Sequence, residues 1–247
     1  MSIIGLQLYS IRSEMEKDFF GSLEKVKQAG YDAVEFAGFY GHSAKELKSA
    51  LANIGLAPHS AHTRLDEDPA EKAKFAAELG IRYMIAPAAP CDTLEACLAS
   101  NAMLKAAVPI FAAEGVTVGF HNHWAEFKTF DGRYALDIIM DGVDGIYQID
   151  TGWVVKAGVD VLAYMRSLGD RVGPIHAKDI NADYATRDPE DVDACIGEGI
   201  VDMKAIVEQL RAVGTLSRGL IVEQEAFTVP MFEALAHNAR ALRALAG

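Results

Sequence analysis

"AAEGVTVGFHNHWAEF", residues 112–127, joins a helix-like ending, a glycine, an apolar run and a polar cluster. Gly115 is well placed as the left-handed residue that closes a helix, and "VTVGF" begins at once as a strand. His121, Asn122, His123 and Glu126 then follow within a few positions. Buried strands rarely carry so many such groups, because each unpaired one costs roughly 1–3 kcal/mol. Either the segment is a solvated strand end, or these side chains point at something that needs them.

The same punctuation recurs upstream. "KQAGYDAVEF" turns at Gly30, "ANIGLAPHSAH" at Gly55 and "AELGIRYMIAP" at Gly80, so the four glycines are spaced by 25, 25 and 35 residues. Each interval suits one βα unit, and the stretches between them ("SLEKVKQA", "SAKELKSALANI", "AEKAKFAAEL") place apolar residues at helical spacing. Further strands are expected in "IIGLQLY" (3–9), "GIYQID" (145–150), "RVGPIHAKD" (171–179) and "RGLIVEQEA" (218–226). Eight strand–helix units over 1–247 predict an α/β chain forming a single (β/α)8 TIM-barrel domain. A doubly wound sheet is the competitor, but no Gly-x-Gly-x-x-Gly follows the first strand and "LQLYSIR" is a poor phosphate loop.

The formal net charge is −12, with no Lys/Arg-rich run, which argues against nucleic acid as a partner. A small phosphorylated substrate is not excluded, since one local nest or a few basic groups would hold it. Cys91, Cys97 and Cys195 form no Cys-x-x-Cys pair, so neither a disulfide framework nor a thiolate zinc site is indicated. The N-terminal segment lacks a signal-peptide pattern, and no uninterrupted apolar run approaches the roughly 18 residues of a membrane span. The expectation is a soluble cytoplasmic protein with no membrane partner.

In a TIM barrel the active site lies at the C-terminal strand ends. Here those ends carry Gln7 and Tyr9, Glu35, His59 and His62, then His121, Asn122, His123 and Glu126. Asp150, then His176, Lys178 and Asp179, and finally Glu223 and Glu225 complete the rim, while the fourth strand ends in the bland "APAAP". Five of the seven histidines therefore fall on one rim. Glu, Asp and His with open water positions suit a hard-to-borderline divalent ion. Singly, Asp150 reads as a cap and His176 as a hydrogen-bonded rim residue; Glu223, inside "LIVEQEA", would be costly unpaired.

The quoted strand ends, with "IDTGW", "PIHAKD", "IGEGIVDMKAIVEQL" and "IVEQEAF", resemble the sugar phosphate isomerase/epimerase proteins of the xylose isomerase-like TIM-barrel superfamily. The likeness spans essentially the whole chain. It implies one divalent ion, Mn²⁺ first with Mg²⁺, Co²⁺ and Zn²⁺ also accommodated, held by Glu, Asp, His and Glu from strands five to eight. Asp150, His176 and Glu223 match three of those positions. Where many relatives have the strand-five glutamate this chain has His121, so Glu126 is the expected fourth ligand and His121 the alternative.

Such an enzyme removes the proton beside a carbonyl, through a metal-stabilised enediolate, and returns it elsewhere. Glu126, Glu223, His123, His121 and Lys178 are the candidate catalytic residues. Lys178 is equally readable as a rim ion pair with Asp179. Gln7, Glu35, His59, His62, His121, Lys178 and Glu198 (the last through the resemblance of "GEG") are candidate substrate contacts, with a small sugar as the partner and a homo-oligomer left open. The rival enzyme is a metal-dependent dehydratase or lyase on a keto-inositol or 3-keto-sugar, with an imidazolium protonating the leaving group. A non-catalytic sugar-binding barrel is the reading from another class. A nuclease resembling endonuclease IV would need a zinc cluster and a cationic face, against which the net charge argues.

Overall fold

The computed structural model describes residues 2–188 and 191–247. The predicted punctuation is built as read: helix Ala44–Ile54 starts on a capping box between Ser43 and Glu46 and closes on Gly55, whose φ is 81°. Helix Pro69–Leu79 closes on Gly80 in the same way. After each cap the chain enters a strand directly.

Among the described residues, eight parallel strands follow one another: β1 (Ile4–Gln7), β2 (Ala33–Phe36), β3 (Ala57–His62), β4 (Tyr83–Ala86), β5 (Thr117–His121), β6 (Ile146–Gln148), β7 (Ile175–Ala177) and β8 (Leu220–Val222). Their order is β6-β5-β4-β3-β2-β1-β8-β7. Only isolated bridges, Tyr147 with Val172 and Asp150 with His176, join β6 to β7 and close the ring. The fold is a TIM barrel, and its seam lies between two of the expected ligands.

Inside the barrel, period-2 alternation makes two layers. Ile85, Ile146 and Ile221 fill the lower one, in space left by glycines. A Cβ on Gly119 would lie 2.5 Å from the Cδ1 atoms of both Ile85 and Ile146. Gln7, Glu35, His62, His121 and Gln148 share the inward face above that layer.

His59 departs from the sequence reading. Pro58 pairs with Val34 and Ser60 with Glu35, so His59 is the extra residue of a bulge. Its ring bonds Ser60 Oγ at 3.0 Å and the Arg218 carbonyl, just before β8, at 2.8 Å. It therefore belongs to the base of the barrel rather than to the rim.

The sequence of helix Leu94–Ala112 is interrupted by Glu95, Ser100, Asn101 and Lys105, so it is not an uninterrupted apolar run. With 19 residues and mean hydropathy 1.3 it is long and apolar enough to cross a membrane by length and composition. Here it is the outer helix between β4 and β5, with Leu104 and Phe111 buried. Its polar Ser100 and Asn101 donate to the carbonyls of Pro90, Ile139 and Asp141.

Filling the glycine space should overpack the lower layer. Gly119→Val is expected to lower stability by about 1–3 kcal/mol, read from the urea midpoint; an unchanged midpoint would contradict this packing.

Candidate active site

His121 ends β5, Asp150 follows β6, His176 lies within β7 and Glu223 follows β8. One donor atom from each of these four buried residues lies within 4.8 Å of every other. His176 is the hub. Its Nδ1 is 3.2 Å from Glu223 Oε2 and 3.9 Å from Asp150 Oδ2, while its Nε2 meets Glu35 Oε1 at 2.5 Å.

Glu35 sits fully buried beneath this group and is saturated with donors. Gln7 Nε2 donates to it at 2.7 Å, Ser60 Oγ at 2.5 Å and Gln148 Nε2 at 2.6 Å, and His62 Nε2 approaches to 3.2 Å. Burial opposes its charge, but His62 and His176 outweigh that and hold its carboxyl well below the usual range. Burial likewise opposes a charged His176, and Glu35 and Glu223 overcome it to raise the imidazolium to about 10. His121 behaves oppositely: burial, then the neighbouring His176, His123 and His62, push it well below the ordinary histidine value. It is a neutral imidazole.

Burial, with repulsion from Glu223, raises Asp150 to about 7 despite the nearby Lys178. Among the described residues, His121 Nδ1 and Asp150 Oδ2 are buried without a hydrogen-bond partner. Two orphaned acceptor-capable atoms, beside an ionised Glu223 and a His176 whose Nδ1 proton a divalent cation would displace, are a donor set that such an ion could satisfy. The residues fit such an ion.

The local sequence explains why these atoms converge. Asp150 caps helix Thr151–Lys156, its Oδ1 accepting from the Trp153 amide at 2.8 Å, so Oδ2 is left facing the group. Thr151 Oγ1 accepts from the Lys178 amide at 3.1 Å and donates to the Lys178 carbonyl at 2.8 Å. A Cβ on Gly152 would lie 2.8 Å from Lys178 Cγ, so glycine clears the lysine stem. Trp153 then covers the ammonium, with its ring centre 4.4 Å from Nζ. "DTGW" is thus a cap, a pin, a clearance and a lid. The asparagine of "HNH" contributes too, since Asn122 Oδ1 accepts from the Asp150 amide at 3.1 Å.

Lys178 Nζ lies 3.1 Å from Glu225, 3.6 Å from Glu223 and 3.8 Å from Asp193. Burial works against this ammonium, yet Asp193, Glu223, Asp150 and Glu225 together hold it protonated. Its partners are these carboxylates rather than Asp179. Asp179 instead accepts amides from Ile180, Gly197, Gly199 and Val201 at 2.9–3.1 Å, shaping the Gly-Glu-Gly segment.

The site opens into a cavity of about 540 Å³, lined in part by Tyr9, Arg12, His62, His121, His123, Trp124, Trp153, Asp193, Glu223 and Glu225. Several residues read from sequence lie elsewhere. Gln7 and Glu35 are sealed below the cavity, and Lys178 lies beneath Trp153. Glu198 is exposed and faces His237 at 3.9 Å. Glu126 is buried but outside the donor group; its Oε2 accepts from the His123 amide at 2.9 Å and its Oε1 is 3.9 Å from His123 Nδ1. Sequence reasoning missed Asp193 and Arg12. Asp193 lies on an irregular excursion with no periodic signal, and Arg12 was visible only as one residue of "LYSIR".

The family model for the xylose isomerase-like TIM barrel matches residues 23–245, and the chain belongs to that family. No curated protein is significantly similar to it in sequence. Among solved structures it is similar to a sugar phosphate isomerase/epimerase from Parabacteroides distasonis, with 22% identity and a TM-score of 0.84 over 99% of this chain and 94% of the other. The IOLI protein, solved with a bound zinc atom, shares 15% identity and a TM-score of 0.77 over 99% and 98% of the two chains. The probable 3-DHS dehydratase AsbF from Bacillus anthracis shares 16% identity and a TM-score of 0.75 over 98% and 99%. At these identities the likeness is one of fold.

Removing the Asp179 carboxylate leaves the loop amides unmet. Asp179→Ala is expected to cost about 3 kcal/mol and to speed proteolysis within 195–201. Unaltered protease resistance would show that the loop does not depend on this carboxylate.

Proposed function

We propose that the chain is a divalent-metal-dependent sugar isomerase or epimerase whose shell is His121, Asp150, His176 and Glu223. The observation that carries this reading is the buried quartet with its two orphaned atoms, His121 Nδ1 and Asp150 Oδ2. Mn²⁺ is the proposed ion; the zinc in the IOLI structure keeps Zn²⁺ in the panel to be tested, with Mg²⁺ and Co²⁺. A bound ion would supply Lewis-acid charge that acidifies the proton beside a sugar carbonyl.

The chain's own residues do the rest. His123 lines the cavity with Nδ1 directed toward Glu126, so Nε2 is the nitrogen left to exchange a proton with substrate. Glu126 is thereby proposed as the group that orients His123, in place of the ligand role expected for it. Glu223, from a different wall of the cavity, puts a carboxylate beside the substrate. Lys178 holds Glu223 and Glu225 in place and balances their charge. Proton return to the opposite face gives an epimer, and return to the neighbouring carbon gives an isomer.

A dehydratase or lyase is the second reading. The His123–Glu126 pair favours it, because an imidazolium facing the cavity can protonate a leaving oxygen.

Two measurements test this. Metal analysis of Mn²⁺-loaded protein should show that His121→Ala and Asp150→Asn lose the ion while Glu126→Gln keeps it but turns over about 10²-fold more slowly. The reverse pattern would sink the shell assignment. Incubation with keto-sugars in D₂O should give metal-dependent deuterium uptake at one carbon, with loss of water or of a leaving group marking the lyase. Full activity after metal removal would refute metal dependence.

A further inference from the structure

The cavity mouth carries two aromatic rings that the proposed chemistry does not use. Tyr9 follows β1 and Trp124 follows β5; both line the cavity, and they are 43% and 40% exposed. β1 and β5 are four places apart in an eight-strand ring, so the two rings rise from opposite sides of the mouth. Large exposed aromatics facing each other across a ligand cavity call for a reason.

Each ring is held in place by a cation. Arg12 Cζ lies 4.1 Å from the centre of Tyr9, and its Nη1 donates to the Tyr9 carbonyl at 3.0 Å. Lys156 Nζ lies 3.8 Å from the centre of Trp124, which also leans on Trp153 at 4.9 Å. Rings fixed this way lose little freedom when a ligand stacks on them. The charge of the wall points the same way. Among the described lining residues, Asp193, Glu223 and Glu225 face a single guanidinium, Arg12, that is already engaged with Tyr9. The buried Lys178 already matches these carboxylates, so a terminal phosphate would find no lysine or arginine among the described lining residues that is not already engaged.

We propose that Tyr9 and Trp124 form an outer subsite that stacks a second ring, so that the substrate is a glycoside bearing its ketone on a non-anomeric ring carbon rather than a free monosaccharide or its phosphate. The shared chemistry is a flat ring with an apolar face, either an aryl aglycone or a second sugar. This rests on the cavity being the sugar site proposed above. The metal-binding end takes the reacting sugar, and the stacked ring points outward between β1 and β5.

Binding to the Mn²⁺-loaded full chain would be measured for 4-nitrophenyl glucoside, cellobiose, methyl glucoside and glucose 6-phosphate. At least one two-ring probe should bind about tenfold tighter than methyl glucoside, and glucose 6-phosphate should bind no better than methyl glucoside. Preference for the aryl compound identifies an aglycone subsite, and preference for cellobiose a second sugar subsite. Trp124→Ala and Tyr9→Ala, with circular dichroism unchanged, should each remove most of that preference. Equal or undetectable binding of all four probes, or tightest binding of the phosphate, overturns the proposal. Deuterium exchange of a free keto-sugar without any ring preference would overturn the subsite and leave the proposed reaction standing. A ring preference lost in Trp124→Ala, without metal-dependent exchange in any sugar, would do the reverse.

Discussion

The contact between Glu35 and His176 is the constraint on which the rest of the site depends. Glu35 takes the Nε2 side of the imidazole at 2.5 Å, so Nδ1 is turned toward Asp150 and Glu223. A buried carboxylate that fixes the orientation of a ligating histidine is a common support for a metal centre. Glu35 can serve only because Gln7, Ser60, Gln148 and His62 converge on it from β1, β3 and β6. Four polar residues inside a barrel would be costly apart; as one saturated network they form a rigid floor.

Around that floor, charge is balanced locally. Lys178 is surrounded by Glu225, Glu223 and Asp193, and its stem passes the clearance left by Gly152. Asp193 also accepts from the Glu225 amide at 2.5 Å, tying the long excursion after β7 to the end of β8. Asp179 organises the other end of that excursion through four amides. The loops at the cavity mouth are therefore held by carboxylates accepting backbone donors, an arrangement that keeps water-accessible segments in one shape without an apolar core of their own.

The seam of the barrel has a related role. Between β6 and β7 the sheet closes through isolated bridges, one of which pairs Asp150 with His176. Barrel closure and approach of these two side chains are thus the same event. A substitution that loosens the seam should disturb the site before it disturbs the outer helices.

Much of the fold was legible because glycine caps and period-2 strands are local signals: Gly30, Gly55, Gly80 and Gly115 all have positive φ. The rim chemistry was legible for the same reason, since strand ends in a TIM barrel share one face. Local rules failed where position depends on partners far away in sequence. The bulge at His59 turns that residue toward Arg218, and a count of strand residues cannot show it. Glu126 lies close in sequence to His121, yet a hydrogen bond to the His123 amide turns it back on its own loop. Glu198 stands in a turn whose direction Asp179 sets from 19 positions earlier. By itself, the sequence determined an eightfold strand–helix alternation and a rim rich in His, Asp and Glu, because both follow from backbone periodicity and side-chain chemistry. Only the tertiary structure decided that His121 joins Asp150, His176 and Glu223, because that meeting requires the ring to close and Glu35 to be caged from three other strands.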